Sequence, residues 1–290
     1  MIEKRIDAIP LLKITRNSSP NRSPIISFAS TENRQNARRL SLTLEHRGEV
    51  YRVEVHVPAE TDIARRPAML MLDGEGCFET AVEALQRMSR RPDATGAEPL
   101  VLIGLSAAVR DPQARNRERD FGPRGATSDF ADFIEIQLLP AVAAQVPLDQ
   151  SALTLFGHSL GGYFTLWMLA HRPHLFAAAA AISPSIWWDA DALKNALAHK
   201  PLSIRNLLLC VGEWEDALPP WQNARPDSDD VRQRRADRQM VRRAHELADL
   251  LAGRLGADKV QYRLLAEEDH ASIVSAAVPR ALRLASSTKL

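Results

Sequence analysis

Cysteine is nearly absent from this chain: there are two in 290 residues, Cys77 and Cys210. They lie far apart in sequence, each beside an apolar segment. That predicts two buried thiols rather than a disulfide, the usage of a reducing compartment. A charge imbalance is missing too. Lys and Arg number 37 and Asp and Glu 36, so the chain as a whole carries no electrostatic footprint for nucleic acid or a membrane surface. No run approaches the roughly 18 apolar residues of a membrane span. The N-terminal apolar stretch 8–12 is broken by Pro10 and is too short for a signal-peptide core. A cytoplasmic location is expected, or a periplasmic one if synthesis starts elsewhere. There is no internal repeat and no evident linker.

What is present is a mixed α/β pattern. Residues 1–40 are rich in Arg, Asn, Ser and Pro with little periodicity, and 17–24 reads as loop. They are set apart as a partly irregular N-terminal extension, followed by a single domain over 41–290. Segments 41–46 and 49–57 alternate with period two around Arg47-Gly48, which predicts an antiparallel hairpin. Six short apolar runs follow, at 68–72, 100–105, 153–156, 177–182, 207–211 and 262–265. Continuous rather than alternating runs suit strands buried on both faces of a parallel sheet. Helical patterns lie between them, at 79–88, 128–140, 163–171 and 231–255. The 128–140 pattern is expected to stop at Pro140. The last is Arg-rich and reads as one long helix with a solvated basic face. Strands alternating with helices predict an open, mostly parallel sheet with right-handed crossovers.

The most informative stretch is Leu153-Thr-Leu-Phe-Gly-His-Ser-Leu-Gly-Gly-Tyr163. A buried strand runs into Gly157-x-Ser159-x-Gly161, and an apolar helical pattern follows. In that context the motif is a nucleophile elbow, a turn that lifts a serine hydroxyl clear of the sheet. A serine is a poor nucleophile until a base takes its proton. In this chain order the acid and then the histidine follow the serine. His199 and His245 sit in helical patterns, whereas His270 follows the last strand and is the candidate base. The acid belongs after the 207–211 strand: Glu215 first, Asp216 as the alternative, Glu213 third, with a Ser–His dyad also open. Glu267, Glu268 and Asp269 beside His270 do not make a metal site, because no second histidine cluster backs them. Two backbone N–H groups are expected to form an oxyanion hole. One is Leu160, after the serine. The other is Gly74 or Glu75, after the 68–72 strand. This chemistry requires no cofactor and no metal.

Together these segments resemble the putative-esterase family of α/β-hydrolases, in particular its enterochelin esterase and salmochelin trilactone hydrolase branch. The likeness rests on Leu70-Met-Leu-Asp-Gly74, Arg117-Glu-Arg-Asp-Phe-Gly-Pro123, Phe156-Gly-His-Ser-Leu-Gly-Gly162 and Ile182-Ser-Pro-Ser-Ile-Trp-Trp-Asp189. It implies an α/β-hydrolase fold and hydrolysis of the esters of a cyclic tri-serine catecholate siderophore, releasing iron. It also implies that Arg117 or Arg119 holds an anionic catecholate, with Trp187 and Trp188 as aromatic surface. His158 of the elbow is grouped with them as substrate-facing. The expected partner is a small-molecule ester, with a ferric siderophore as the candidate the resemblance supplies. Two other readings stand beside it. One is a general carboxylesterase, thioesterase or acyltransferase on small acyl groups. The other is a non-catalytic protein that binds an anionic ligand.

Overall fold

The computed structural model describes residues 25–32, 37–59, 66–109 and 115–286. Among them nine strands form one sheet in the order β1-β2-β3-β5-β4-β6-β7-β8-β9. The strands are β1 (Ile25–Glu32), β2 (Arg38–His46), β3 (Glu49–Val57), β4 (Arg66–Leu72), β5 (Val101–Ala107), β6 (Leu148–His158), β7 (Ala178–Ile182), β8 (Asn206–Gly212) and β9 (Val260–Leu265). The helices are α1 (Gly74–Met88), α2 (Pro92–Thr95), α3 (Arg115–Phe121), α4 (Thr127–Phe133), α5 (Leu139–Ala143), α6 (Leu160–His171), α7 (Ala190–His199), α8 (Ser228–Arg238), α9 (Met240–Leu255) and α10 (Ile273–Ser286).

From β5 onward through β4, β6, β7, β8 and β9 every neighbour is parallel. The hairpin β2–β3 forms as its alternation predicts, with β3 antiparallel to β5. β1 and the start of β2 fall within the stretch read from sequence as an N-terminal extension, so the sheet begins before residue 41. The loop expected at 17–24 lies outside the described residues. Apolar side chains fill both faces of the sheet. One layer is centred on α4, α6, α7 and α9 and the other on α1 and α10. Cys77 and Cys210 are buried free thiols in the second layer.

Two helices depart from expectation. Pro140 does not stop the helix that begins at Thr127. A π-helical turn over Ile134–Leu138 precedes it, and α5 continues to Ala143 with the proline in its first turn. Wider winding before the ring removes the clash that an α-helical carbonyl would meet. The 231–255 pattern is two helices, not one. Gln239 adopts φ 49°, ψ 49°, a left-handed conformation that ends α8 and turns the chain into α9. The apolar stripe that stabilises α9 (Met240, Ala244, Leu247, Ala248, Leu251) has no counterpart in α8, which buries no residue.

The strand order fixes where a site forms. After β5 the chain returns to the other side of β4, where β6 pairs. In open parallel sheets the crevice lies at the strand C-termini where the winding reverses. Here that crevice is bounded by the turns after β4 and β6.

Candidate active site

Ser159 stands at the C-terminal end of β6 with φ 59°, ψ −116°. This region is strained for any residue with a Cβ. The surrounding backbone holds it there. Its N–H donates to the Ile182 carbonyl at 2.9 Å, and its own carbonyl accepts from Tyr163 and Ser185, both at 3.0 Å. A Cβ at Gly157 would lie 2.2 Å from the Gly161 carbonyl oxygen. The turn closes only because position 157 is glycine.

His270 lies on the loop after β9. Its Nε2 is 3.0 Å from Ser159 Oγ, and its Nδ1 is 2.7 Å from Glu215 Oε2. An ionised carboxylate only accepts, so Nδ1 carries the proton and Nε2 is left bare toward the serine. Glu215 is buried at the end of β8. Burial alone would raise its pKa. Hydrogen bonds from His270, the Ser183 hydroxyl and the Gly212 N–H together outweigh that and hold it below the usual carboxylate value. The Ser183-Pro-Ser185 tripeptide serves both ends of this relay. Ser183 binds the carboxylate, and Ser185 Oγ lies 3.3 Å from Ser159 Oγ.

The neighbouring acids are otherwise engaged. Asp216 Oδ2 accepts from the N–H groups of Val241 and Arg242, capping α9 in place of Gln239, which supplies no side-chain cap. Glu213 Oε2 accepts from the Glu267 N–H at 2.8 Å. Asp269 closes the turn that leads into α10, accepting from the N–H groups of Ala271 and Ser272 while its own N–H donates to Ser272 Oγ. A third link joins the loops after β8 and β9: Trp214 N–H donates to the Glu268 carbonyl at 3.0 Å. A Cβ at Gly212 would meet that same carbonyl oxygen at 2.3 Å.

Leu160 and Gly74 are the first residues of α6 and α1, so neither N–H has an acceptor within its helix. The two helix starts adjoin: a Cβ at Gly161 would lie 3.5 Å from Asp73 Oδ2. The Glu75 N–H, the other sequence candidate, is taken by Ser106 Oγ at 3.0 Å.

The remaining candidates divide. Arg117 borders the cleft and is clamped by Asp73, its Nε and Nη2 each bonded to one carboxylate oxygen at 3.0 and 2.8 Å. Arg119 does not line the cleft. Its guanidinium binds Asp120, Glu49 and the Tyr51 hydroxyl, pinning α3 to β3. Trp187 and Trp188 pack edge to face and border the cleft. His158 is turned inward beside His270, with ring centroids 4.7 Å apart, and its Nε2 is buried without a partner among the described residues.

The cleft that contains Ser159 and His270 has a volume of about 440 Å³. Its walls include Arg117, Trp187, Trp188 and Trp214, and also arginines of α8, whose sequence pattern alone suggests a solvent-facing helix. A second cavity of about 600 Å³ lies across Arg117, with Tyr51, Phe121 and His158 in its lining.

Burial, then the proximity of His270, pushes the His158 pKa down to about 4; burial, then Arg39, does the same to His56. In the unfolded chain both would titrate near 6.5. Between those values the unfolded state binds a proton that the folded state refuses, so stability falls as pH falls from about 6.5 to about 4. Thermal unfolding at pH 7 and pH 5 should show this loss. His56→Gln, remote from the cleft, should remove about 2 kcal/mol of it at pH 5. An equal loss in the variant would contradict the assignment.

A parallel sheet that reverses at β4 and β6, with a strained serine, a histidine and a buried carboxylate in series at its edge, defines an α/β-hydrolase. Comparison with known proteins narrows this. The family model described as putative esterase matches residues 45–251, and the chain belongs to that family of carboxylic ester hydrolases. It is 31% identical to the siderophore triacetylfusarinine C esterase of Aspergillus fumigatus, covering 82% of this chain and 89% of the relative. It is 30% identical to a siderophore enterobactin esterase of Emericella nidulans, covering 73% and 79%. Among solved structures it superposes on a siderophore hydrolase of Aspergillus nidulans with a TM-score of 0.74 at 24% identity, covering 88% and 95%. That likeness is one of fold.

Proposed function

We propose that this esterase hydrolyses the ester bonds of a siderophore of the tri-serine catecholate lactone type. The observation that carries the chemistry is the continuous relay Glu215–His270–Ser159 opening into the cleft. The names of both relatives support a siderophore ester, and that of the enterobactin esterase supports the tri-serine catecholate type, as do the aromatic and guanidinium side chains on the walls. Catecholate rings stack on indole, and their anionic oxygens pair with arginine.

In this mechanism Ser159 Oγ attacks the ester carbonyl carbon as its proton passes to His270 Nε2. The carbonyl π electrons move onto oxygen, where the Leu160 and Gly74 N–H groups receive the charge. Both lie at helix starts, whose dipoles favour negative charge. Glu215 stabilises the imidazolium at Nδ1. The intermediate collapses, the ester C–O bond breaks, and the departing alkoxide takes the proton from Nε2. In a cyclic substrate this first step opens the ring and leaves it attached as the acyl-enzyme. Water, deprotonated by His270, then repeats the sequence and frees Ser159. Arg117, held rigid by Asp73, offers its remaining Nη1 edge to an anionic ring oxygen.

The test is product analysis by liquid chromatography and mass spectrometry after incubation with enterobactin, iron-free and ferric. Linear trimer, dimer or monomer of the serine conjugate is the expected result. Turnover of simple short-chain esters with neither form of enterobactin cut would reject the substrate assignment and leave a general carboxylesterase.

A further inference from the structure

Arg232 and Arg235 of α8 are engaged in structural bonds, whereas Arg234 and Arg238 donate no side-chain hydrogen bond among the described residues. The helix buries no residue. Four of its side chains line the cleft of Ser159: Val231, Arg234, Arg235 and Arg238. Their spacing, i, i+3, i+4 and i+7, is that of a single helix face. In a packed helix that stripe is apolar. Here three of its four positions are guanidinium groups. Arg234 and Arg238 are one turn apart, a like-charge pairing that weakens an isolated helix. The helix has carboxylates of its own, but they do not serve the stripe: Asp229 pairs with Arg232 on another face. Among the described residues Arg234, Arg235 and Arg238 form no ion pair.

The stripe is also held in place. Arg235 donates to the Ala217 carbonyl and to Gln222 Oε1. The guanidinium of Arg238 lies over the Trp187 ring, 4.7 Å from its centroid. Arg232, on the outer side, ties α8 to Asn223 at 3.1 Å. Three cations in no direct ion pair among the described residues thus share a tryptophan-lined cleft with the nucleophile. Arg235 feels Asp269 and Glu215 at longer range, and Glu118 and Glu215 are the carboxylates of the lining.

We infer that the α8 stripe is the specificity element of the cleft: Arg234, Arg235 and Arg238 select a multiply anionic substrate over a neutral one with the same ester. The inference rests on the siderophore reading given above and names its charge state. Three dianionic catecholates around one ferric ion leave a trianion, whereas the iron-free ligand keeps its catechol protons at neutral pH. Three guanidinium groups match the first and gain nothing from the second.

The experiment is binding, with no chemistry required. Ser159→Ala protein is titrated with ferric and with iron-free enterobactin, following quenching of the cleft tryptophans. Ferric enterobactin should bind more tightly, and raising the salt should narrow the difference. Adding R234Q and R238Q should weaken ferric binding by at least about tenfold for each charge-assisted hydrogen bond removed, and so collapse the preference. Glutamine retains helix propensity, and R234K/R238K should recover most of the preference if charge is what is read. A preference unchanged in the glutamine variant and at high salt would overturn the inference while leaving the esterase reading intact. Failure of ferric enterobactin to bind would overturn the inference as well. Absence of cleavage products from both forms in the wild-type assay is the separate failure of the siderophore reading.

Discussion

Ser159→Ala lowers kcat by about 10⁶-fold, the size seen when a serine nucleophile is removed from a comparable relay. The residue contributes the only hydroxyl within hydrogen-bond reach of His270 Nε2 among the described residues. Alanine keeps the Cβ, so the strain at φ 59° neither grows nor relaxes, and the backbone bonds to Ile182, Tyr163 and Ser185 remain. The variant should therefore match wild type in circular dichroism and unfolding midpoint while losing turnover. Single-turnover analysis of a chromogenic ester supplies the rate. Activity within tenfold of wild type would exclude the covalent mechanism.

Glu215→Gln carries the second largest effect, a drop of about 10⁴-fold in kcat. The amide occupies the same space but cannot favour the tautomer that leaves Nε2 bare, nor stabilise the imidazolium. Asp216→Ala is the contrast. Its carboxylate caps α9, so the change should cost about 1 kcal/mol of stability with kcat nearly unaltered. Acid unfolding separates the two roles as well. Glu215 is held below the usual carboxylate pKa, so it stabilises the fold at neutral pH and loses that contribution as pH drops below about 4. Glu215→Gln should flatten this acid limb. The reverse pattern, with Asp216 controlling rate and Glu215 only stability, would exchange the assignments.

The sheet is legible in the sequence because a strand buried on both faces leaves an uninterrupted apolar run. The elbow is legible because strand, glycine-flanked serine and helix occur in unbroken order. His270 can be read from its position after the last strand. The choice among Glu213, Glu215 and Asp216 cannot be made from spacing. It depends on which way three neighbouring carboxylates point across a turn, and each finds a different partner from another part of the chain. Ser183 and Ser185 are visible as a tripeptide, but their alternate orientation toward carboxylate and nucleophile is a tertiary fact. The two arginines of the 117–123 segment look alike in sequence, yet one borders the cleft and the other pins α3 to β3. The basic helix is solvated as its composition suggests, with no buried residue, but its place beside the site is not in the pattern. A polar helix looks alike whichever way it faces, and only the folded chain shows that one arginine-bearing face of α8 borders the cleft.

The seam between the loops after β8 and β9 has a consequence for how such enzymes can change. The acid and the base are carried by segments more than fifty residues apart, yet Trp214 and Glu213 each bond to the backbone of the other loop, and Gly212 leaves room for its close approach. An insertion in either would misalign both halves of the proton relay at once. The pair is thus inherited, or transplanted in design, as one cassette. Variation in the substrates served has to be written into parts free of that seam, and α8, with no buried side chain to hold it to a single sequence, is such a part.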